Sequence, residues 1–208
     1  MLTPAASAFG RNIAIIIPAY NASGTIQQTL ESIQLQQSGL DRVACVVVAD
    51  DCSTDDTSAL ARSCWTSPAP LLVYCNLENK GERATVNAAV NGLPVEVAWF
   101  FVLHADDIVK PHWLDVMLRG LDQAPPRTAS FTASYDVLFP DGRLDNGENF
   151  GEERKVIIEG TPQAIRNTVR QGCWFKISSC AIRVSAFREL GGFMPDMGKY
   201  LLDTPMFL

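Results

Sequence analysis

Four short apolar runs, separated by patterns typical of helices, constrain the fold of this 208-residue chain more than any other feature. The runs are rich in Ile, Val, Leu and Phe and do not alternate between apolar and polar residues; they span 13–17, 43–49, 71–75 and 97–103. Continuous apolar runs of this length are typical of strands that are buried on both faces. Because helical patterns alternate with them, we predict an α/β fold with a mostly parallel, doubly wound sheet flanked by helices.

The segments between these runs carry helix signals. Ser23 is the candidate cap of a first helix, and the spacing of Ser53 and Asp56 predicts a capping box at the start of a second. A third helix is predicted over 84–90, and Pro111 suits the first position of a fourth. Apolar residues recur at helical spacing in the first and fourth helices, namely Ile26, Leu30, Ile33, Leu114, Met117, Leu118 and Leu121.

After a break at 124–126 the pattern becomes less regular. We predict one domain over 1–208, with a regular half over about 12–121 and a smaller, less regular half over about 122–208. The chain ends at Leu208 inside a pattern typical of a helix, which favours a truncated C-terminus. The elements predicted in the second half are a strand that ends in a Pro-Asp-Gly turn, a polar loop, a helix and a further strand, over 130–139, 141–155, 161–170 and 177–184.

Composition excludes several classes of protein. The formal net charge is −6, which argues against a nucleic-acid-binding surface. No apolar run approaches the roughly 20 residues that span a bilayer, and the first ten residues lack the features of a secretory signal. The six cysteines form no C-x-x-C pair, so we expect no zinc site. We therefore expect a cytoplasmic protein, with peripheral association at the membrane face left open.

Polar and charged residues follow each predicted strand. Ligands of open parallel sheets bind where these carboxyl ends meet. Two carboxylate pairs held close together are costly without a cation, and oxygen ligands favour Mg²⁺ or Mn²⁺, with a diphosphate supplying further ligands. In strand order, the candidate residues are Pro18, Ala19, Tyr20 and Asn21, then Asp50 and Asp51, then Lys80 and Arg83, then His104, Asp106 and Asp107.

Three common site motifs are absent from the sequence. It contains no G-x-G-x-x-G after the first strand, no G-x-x-x-x-G-K-[ST] and no G-x-S-x-G. Their absence argues against a dinucleotide-binding site, a P-loop and an α/β-hydrolase, respectively. A receiver-type signalling domain is also disfavoured, because its acid pair would follow the first strand rather than the second and fourth.

Four segments, in this order and spacing, resemble the family 2 glycosyltransferases of the GT-A fold. They are IIIPAYN at 15–21, VVVADDCSTD at 46–55, ADD at 105–107 with Pro111, and LGGF at 190–193 followed by Asp203. The resemblance implies an inverting enzyme that moves a sugar from a nucleotide sugar, with UDP as the favoured nucleotide, to an acceptor hydroxyl. A glycan or a lipid-linked precursor is the acceptor expected by analogy. The regular half would bind the donor, and the second half would hold the acceptor and the catalytic base.

The resemblance also implies roles for individual residues. Tyr20 would stack on the nucleobase, with Pro18, Ala19 and Asn21 in the same pocket, and Asp51 would bind the base, with Asp50 nearby. Asp106 and Asp107 would touch the ribose and hold the metal, and Asp203 would be the catalytic base. Lys80 and Arg83 would face the diphosphate, although a solvated helix start explains them equally well.

Two departures from the family pattern leave an alternative open. His104 replaces the first acid of the usual D-x-D, and Leu202 replaces the Glu that precedes the catalytic Asp. A nucleotide-sugar-binding protein with weak or no turnover is therefore the alternative function. We interpret His104 as a structural histidine rather than a ligand.

Overall fold

A six-stranded sheet forms the centre of the computed structural model, which describes residues 12–146, 161, 163–164 and 177–194. Its four parallel strands are β1 (Ile13–Ala19), β2 (Val43–Asp50), β3 (Leu71–Cys75) and β4 (Trp99–Val102). The strand order is β3-β2-β1-β4, with β1 paired to both β2 and β4. The mostly parallel sheet predicted from the four apolar runs is confirmed.

Within 12–146 and 177–194, five helices pack on the sheet: α1 (Ile26–Gln34), α2 (Thr57–Cys64), α3 (Glu82–Asn91), α4 (Trp113–Asp122) and α5 (Val184–Glu189). Alternate residues of β1 point to opposite faces, and both faces are buried. Ile15 and Ile17 pack in one core with α1 and α4, while Ala14 and Ile16 pack in a second core with α3 and α5. This burial explains the absence of alternation in the sequence. None of the helices in the described ranges is long and apolar enough to cross a membrane.

The second half adds antiparallel strands, and here one prediction is wrong. The strand predicted over 130–139 is two strands, β5 (Ser130–Thr132) and β6 (Asp136–Leu138). The first pairs with β8 (Cys180–Arg183) at the sheet edge, and the second forms a separate hairpin with β7 (Leu144–Asn146). The intervening Ala-Ser-Tyr segment breaks the ladder, and an ion pair from Lys110 to Asp136 holds the start of the hairpin.

The Pro-Asp-Gly turn predicted to end this segment is present after β6, with Gly142 in a left-handed conformation at φ 82°. The polar loop predicted to follow is wrong at its start, because Leu144–Asn146 form β7. The segment predicted as a strand over 177–184 begins with a 3₁₀ turn, Ile177–Ser179, and only β8 is extended. β8 is antiparallel to β4, so the sheet is mixed at this edge. Most of the predicted polar loop and helix over 141–170, and the predicted C-terminal helix, lie outside the described residues.

Three predicted helix starts are wrong, and two of them fail for the same reason. Ser23 does not cap α1, because its backbone N–H donates to Asp55 at 3.0 Å and the helix begins at Ile26. Ser53 forms no capping box, because its hydroxyl accepts from Asn21 N–H at 2.9 Å. Pro111 precedes α4 by two residues instead of opening it. In the first two cases, loop-to-loop bonds between the ends of β1 and β2 replace local capping.

Candidate functional site

The carboxyl ends of β1, β2 and β4 border an open cleft of about 500 Å³. It brings together six of the nine residues predicted to bind a nucleotide: Pro18, Ala19, Tyr20, Asn21, Asp51 and Asp106. Ala22, Thr25, Glu82, His104 and Ala105 complete its lining. Asp50, Lys80 and Arg83 are not part of that lining. Asp203 lies outside the described residues, so its role stays a prediction.

One wall of the cleft is built from the loops that follow β1 and β2. Asn21 accepts a hydrogen bond from Thr54 N–H at 2.8 Å, and Ala22 N–H donates to the Thr57 hydroxyl at 2.8 Å. In the described part of the chain, Asn21 and Cys52 are the two non-glycine residues with positive φ, at 50° and 65°. Strained backbone of this kind is held only where the surroundings over-determine it. Tyr20, 52% exposed, projects from this fixed wall as an open aromatic surface.

Asp51 lies at the floor of the cleft and is 4% exposed. Its Oδ1 accepts from Asn76 Nδ2, Lys80 N–H and the Thr85 hydroxyl at 2.8, 2.8 and 2.9 Å. Burial raises the pKa of this carboxyl, but these hydrogen bonds and one from Gly81 outweigh burial, so the pKa is lowered. Among the described residues, Oδ2 accepts only the Gly81 N–H, at 2.7 Å. That oxygen retains room for one more donor.

Asp50 faces away from the cleft. It is 3% exposed and accepts hydrogen bonds from Ser53 N–H at 2.7 Å and from the Ser58 hydroxyl at 2.5 Å. Lys80 contributes its backbone to Asp51, while its ammonium lies 4.0 Å from Glu78 on a half-exposed side chain. Arg83 is 6% exposed within α3. Asp50 and Lys80 therefore hold the loops around the cleft, Arg83 is a buried residue of α3, and none of the three lines the cleft.

The loop that carries Asp106 and Asp107 is fixed by polar side chains of α1 and the residues just after it. The buried hydroxyl of Thr29 donates to the Ala105 carbonyl at 2.9 Å, and the Ser32 hydroxyl accepts from Val109 N–H at 3.1 Å. Gln36 donates to the Lys110 carbonyl and accepts from Leu114 N–H, both at 2.8 Å. These bonds hold the loop by its backbone and leave both carboxylates available to a ligand.

A histidine and three carboxylates meet beside the cleft; His104, Glu82 and Asp106 line it, and Asp107 lies just outside its lining. His104 Nε2 lies 2.6 Å from Glu82 Oε1, and its Nδ1 lies 3.7 Å from Asp107 Oδ2. Burial lowers the pKa of His104, but Glu82, Asp107 and Asp106 outweigh it, so the pKa is raised. Potential ligand atoms of His104, Asp106 and Asp107 all lie within 4.8 Å of one another. This donor set fits a divalent cation.

Comparison with known proteins identifies the family of the chain. The model of glycosyl transferase family 2 matches residues 14–191 of the chain. The chain belongs to this family. A relative, the succinoglycan biosynthesis protein ExoO of Rhizobium meliloti (strain 1021), is 34% identical over 133 residues, or 64% of this chain. The match covers 35% of that relative, so the chain spans about a third of its length.

Solved glycosyltransferase structures share the fold. The mannosyltransferase PcManGT from Pyrobaculum calidifontis, in complex with GDP-Man and Mn²⁺, aligns with a TM-score of 0.67 at 21% identity. The alignment covers 95% of this chain and 51% of the mannosyltransferase chain. S. aureus TarS 1–349, in complex with UDP-GlcNAc, aligns with a TM-score of 0.65 at 18% identity, over 88% of this chain and 48% of that chain. The predicted GT-A architecture is confirmed.

Sequence reasoning missed one residue of this family 2 glycosyltransferase, Glu82, and one contact, that of the Gly-Gly-Phe segment with α3. Glu82 lines the cleft and contacts His104, yet in the sequence it looks like a charge at a helix start. The Gly-Gly-Phe segment docks on α3, where the Asn87 amide accepts from Phe193 N–H at 2.9 Å and donates to its carbonyl at 2.8 Å. A Cβ at Gly192 would lie 2.7 Å from Asn87 Oδ1, which explains the glycine there.

Proposed function

We propose that this glycosyltransferase moves a sugar from a UDP-sugar to an acceptor hydroxyl, with inversion at the anomeric carbon. The observation that carries the proposal is the meeting of Tyr20, Asp51 and Asp106 in one cleft at the carboxyl ends of three parallel strands. The nucleobase would stack on the aromatic face, and its ring N–H would donate to the buried carboxylate. The open carboxylate would bind the ribose or, through a cation, the diphosphate.

The uracil preference rests on Asp51. Its Oδ2 has room for one more donor, and the N3–H of uracil is such a donor. Cytosine presents an acceptor at the same ring position and would face a carboxylate with no proton to share. Tyr20, open to solvent, would stack on the ring from the side. The site should therefore prefer UDP to CDP.

The diphosphate end rests on Asp106 and Asp107, which would hold a divalent cation, Mg²⁺ or Mn²⁺. When bound, the cation neutralises charge that develops on the departing diphosphate. The chain itself fixes the two carboxylates by pinning their loop to α1 and the residues just after it. This arrangement positions the donor without rearrangement of the backbone.

The acceptor side of the reaction rests on Asp203, which we propose takes the proton from the acceptor hydroxyl. One base opposite one leaving group gives a single displacement, and hence inversion. The relative ExoO is named for succinoglycan biosynthesis. By analogy, we propose a growing surface polysaccharide or its lipid-linked precursor as the acceptor and the cytoplasmic membrane face as the location.

Calorimetric titration tests the donor site. UDP should bind the folded protein with Mn²⁺ or Mg²⁺ present, more weakly in EDTA, and CDP should bind at least about tenfold more weakly than UDP. Asp106→Asn should weaken UDP binding. Asp115→Asn, which removes a carboxylate on the exposed face of α4, should not. Equal binding of UDP and CDP would contradict the role of Asp51.

A turnover assay tests the chemistry. Slow hydrolysis of a UDP-sugar by the wild-type protein, lost in Asp203→Asn while UDP still binds, would support catalysis with Asp203 as base. Tight UDP binding without any hydrolysis or transfer over a panel of UDP-sugars would favour the non-catalytic alternative.

A further inference from the structure

His104 occupies the position where the family pattern has an acid, and its ring is held from one side. Its Nε2 lies 2.6 Å from Glu82 Oε1. Both of these atoms are buried, although about a third of each side chain is exposed. A carboxylate in this position fixes the ring orientation and keeps a proton on Nε2. The other nitrogen, Nδ1, then lies on the side of the ring that faces Asp107.

The direction of Nδ1 is the second observation. Nδ1 lies 3.7 Å from Asp107 Oδ2, and ligand atoms of the two residues and of Asp106 fall within 4.8 Å of one another. Adjacent ligands of one octahedral cation, each at about 2.1 Å, lie about 3 Å apart. The two atoms need to approach by less than about 1 Å to share a cation. In metal sites, a histidine that binds the metal through one ring nitrogen commonly donates its other ring N–H to a carboxylate. Here Glu82 is the carboxylate beside Nε2, and Nδ1 lies near the carboxylate of Asp107.

We propose that His104, oriented by Glu82, gives this site an imidazole nitrogen ligand for its divalent cation, beside Asp107. The inference rests on the proposed function, because it concerns the cation of the same donor site. It replaces the structural role inferred from the sequence for His104. Glu82 is then a positioning residue, since it acts on the cation through His104.

A nitrogen ligand changes which cation the site prefers. Mg²⁺ is bound by oxygen ligands, whereas imidazole suits first-row transition metals. With UDP present, the wild-type protein should bind Mn²⁺ in clear preference to Mg²⁺, and His104→Asp should narrow that preference by restoring an all-oxygen set. Glu82→Gln should weaken Mn²⁺ binding by about tenfold or more, as loss of an orienting carboxylate does. Glu78→Gln, a nearby exposed carboxylate, should leave it unchanged.

Pulsed electron paramagnetic resonance of Mn²⁺ supplies a readout that does not depend on activity. The sequence contains two histidines, His104 and His112, so an untagged protein gives an assignable signal. Mn²⁺ with UDP should show modulation from an imidazole ¹⁴N that changes when histidine is labelled with ¹⁵N. The modulation should disappear in His104→Gln and persist in His112→Gln, which alters an exposed residue before α4. Circular dichroism confirms that each variant is folded.

The outcomes separate the two proposals. Tight binding of Mn²⁺ and UDP with no histidine nitrogen signal, and with unchanged affinity in His104→Gln, would overturn the inference and leave the proposed function standing. His104 would then be only an ion-pair partner of Glu82 and Asp107. A folded wild-type protein that binds neither UDP nor Mn²⁺ would overturn both.

Discussion

The chain carries the same dipeptide, Asp-Asp, at the ends of β2 and β4, the two strands that flank β1, and the two pairs have opposite environments. Asp50 and Asp51, at the end of β2, are 3% and 4% exposed and accept several hydrogen bonds from the protein. Asp106, after β4, is exposed, and Asp107 is half-buried. The first pair organises the protein, and the second is open to a ligand. A motif therefore does not by itself specify whether an acid holds the fold or binds the substrate.

The difference comes from what each loop offers its carboxylates. The segment between β3 and α3 crosses over Asp51 and presents backbone N–H groups of Lys80 and Gly81, together with the Asn76 amide. The loop after β4 is instead held through its backbone by Thr29 and Gln36. Because side chains outside the loop bind its backbone, the loop is held without hydrogen bonds to its own carboxylates, and the closest charged partner of Asp107 is His104 at 3.7 Å.

The largest expected effect is on Asp51. Asp51→Ala removes the acceptor of four donors in a buried place, so two backbone N–H groups and two side chains lose their partner. We expect a loss of about 3 kcal/mol in the free energy of unfolding. A buried polar group that is left without a partner lowers stability by more than its hydrogen bond contributes to it. Urea denaturation measures the loss. A loss below about 0.5 kcal/mol would contradict the distinction between the two pairs.

The second prediction concerns the open pair. Asp107→Ala should weaken metal-dependent UDP binding by about tenfold or more while changing the unfolding free energy by less than about 0.5 kcal/mol. Calorimetry with and without EDTA measures the first quantity, and urea denaturation the second. Asp115→Ala, on the exposed face of α4, is the matched control and should change neither. If Asp107→Ala were as destabilising as Asp51→Ala, the comparison would fail.

A smaller effect is expected where α1 supports the second loop. Thr29→Val keeps the side-chain shape but removes the buried hydroxyl that donates to the Ala105 carbonyl. We expect a loss of about 1 kcal/mol in stability and a severalfold weaker affinity for UDP with Mn²⁺, because the loop loses one of its fixed points. Thr66→Val offers a matched control, since the exposed hydroxyl of Thr66 donates to Gln34 at 2.8 Å and is not part of the cleft lining. An unchanged UDP affinity in Thr29→Val would show that the remaining bonds suffice.

Much of the fold could be predicted because a strand that is buried on both faces has a continuous apolar run in the sequence. The run over 13–17 lies within β1, whose residues are all buried, and the predicted face of α4 is buried at Leu114, Met117, Leu118 and Leu121. The run over 71–75 is a strand with the predicted bounds, but it lies at the sheet edge and none of its residues is buried. The predictions failed where a side chain had both a local and a distant partner. Ser53 fits a capping box, but its bond to Asn21 crosses 32 positions of sequence. Local spacing carries no information about such a partner.

The candidate site shows the same limit. Strand ends predicted which loops meet, so Tyr20, Asp51 and Asp106 lie in one cleft as expected. The sequence could not distinguish Asp50 from Asp51, because adjacent residues at a strand end point to opposite sides. It also did not identify Glu82, whose contact with His104 depends on how α3 approaches the end of β4.

The smallest predicted effect is on pH dependence. The pKa of Asp51 is lowered because hydrogen bonds outweigh burial, so the unfolded chain binds the proton more tightly than the folded one. Its contribution to stability is therefore present above the unfolded pKa of about 3.9 and is lost as the pH falls through the lower folded value. The stability difference between wild type and Asp51→Asn, measured in urea from pH 7 to 3, should be constant above about pH 5 and narrow below about pH 4. Asn76→Ala removes one donor to Asp51, so the contribution of Asp51 should fade at a higher pH in that variant. A stability difference that stays constant down to pH 3 would show that the carboxylate of Asp51 is no better stabilised in the folded protein than in water. The hydrogen bonds to Asp51 would then not distinguish it electrostatically from Asp106 and Asp107.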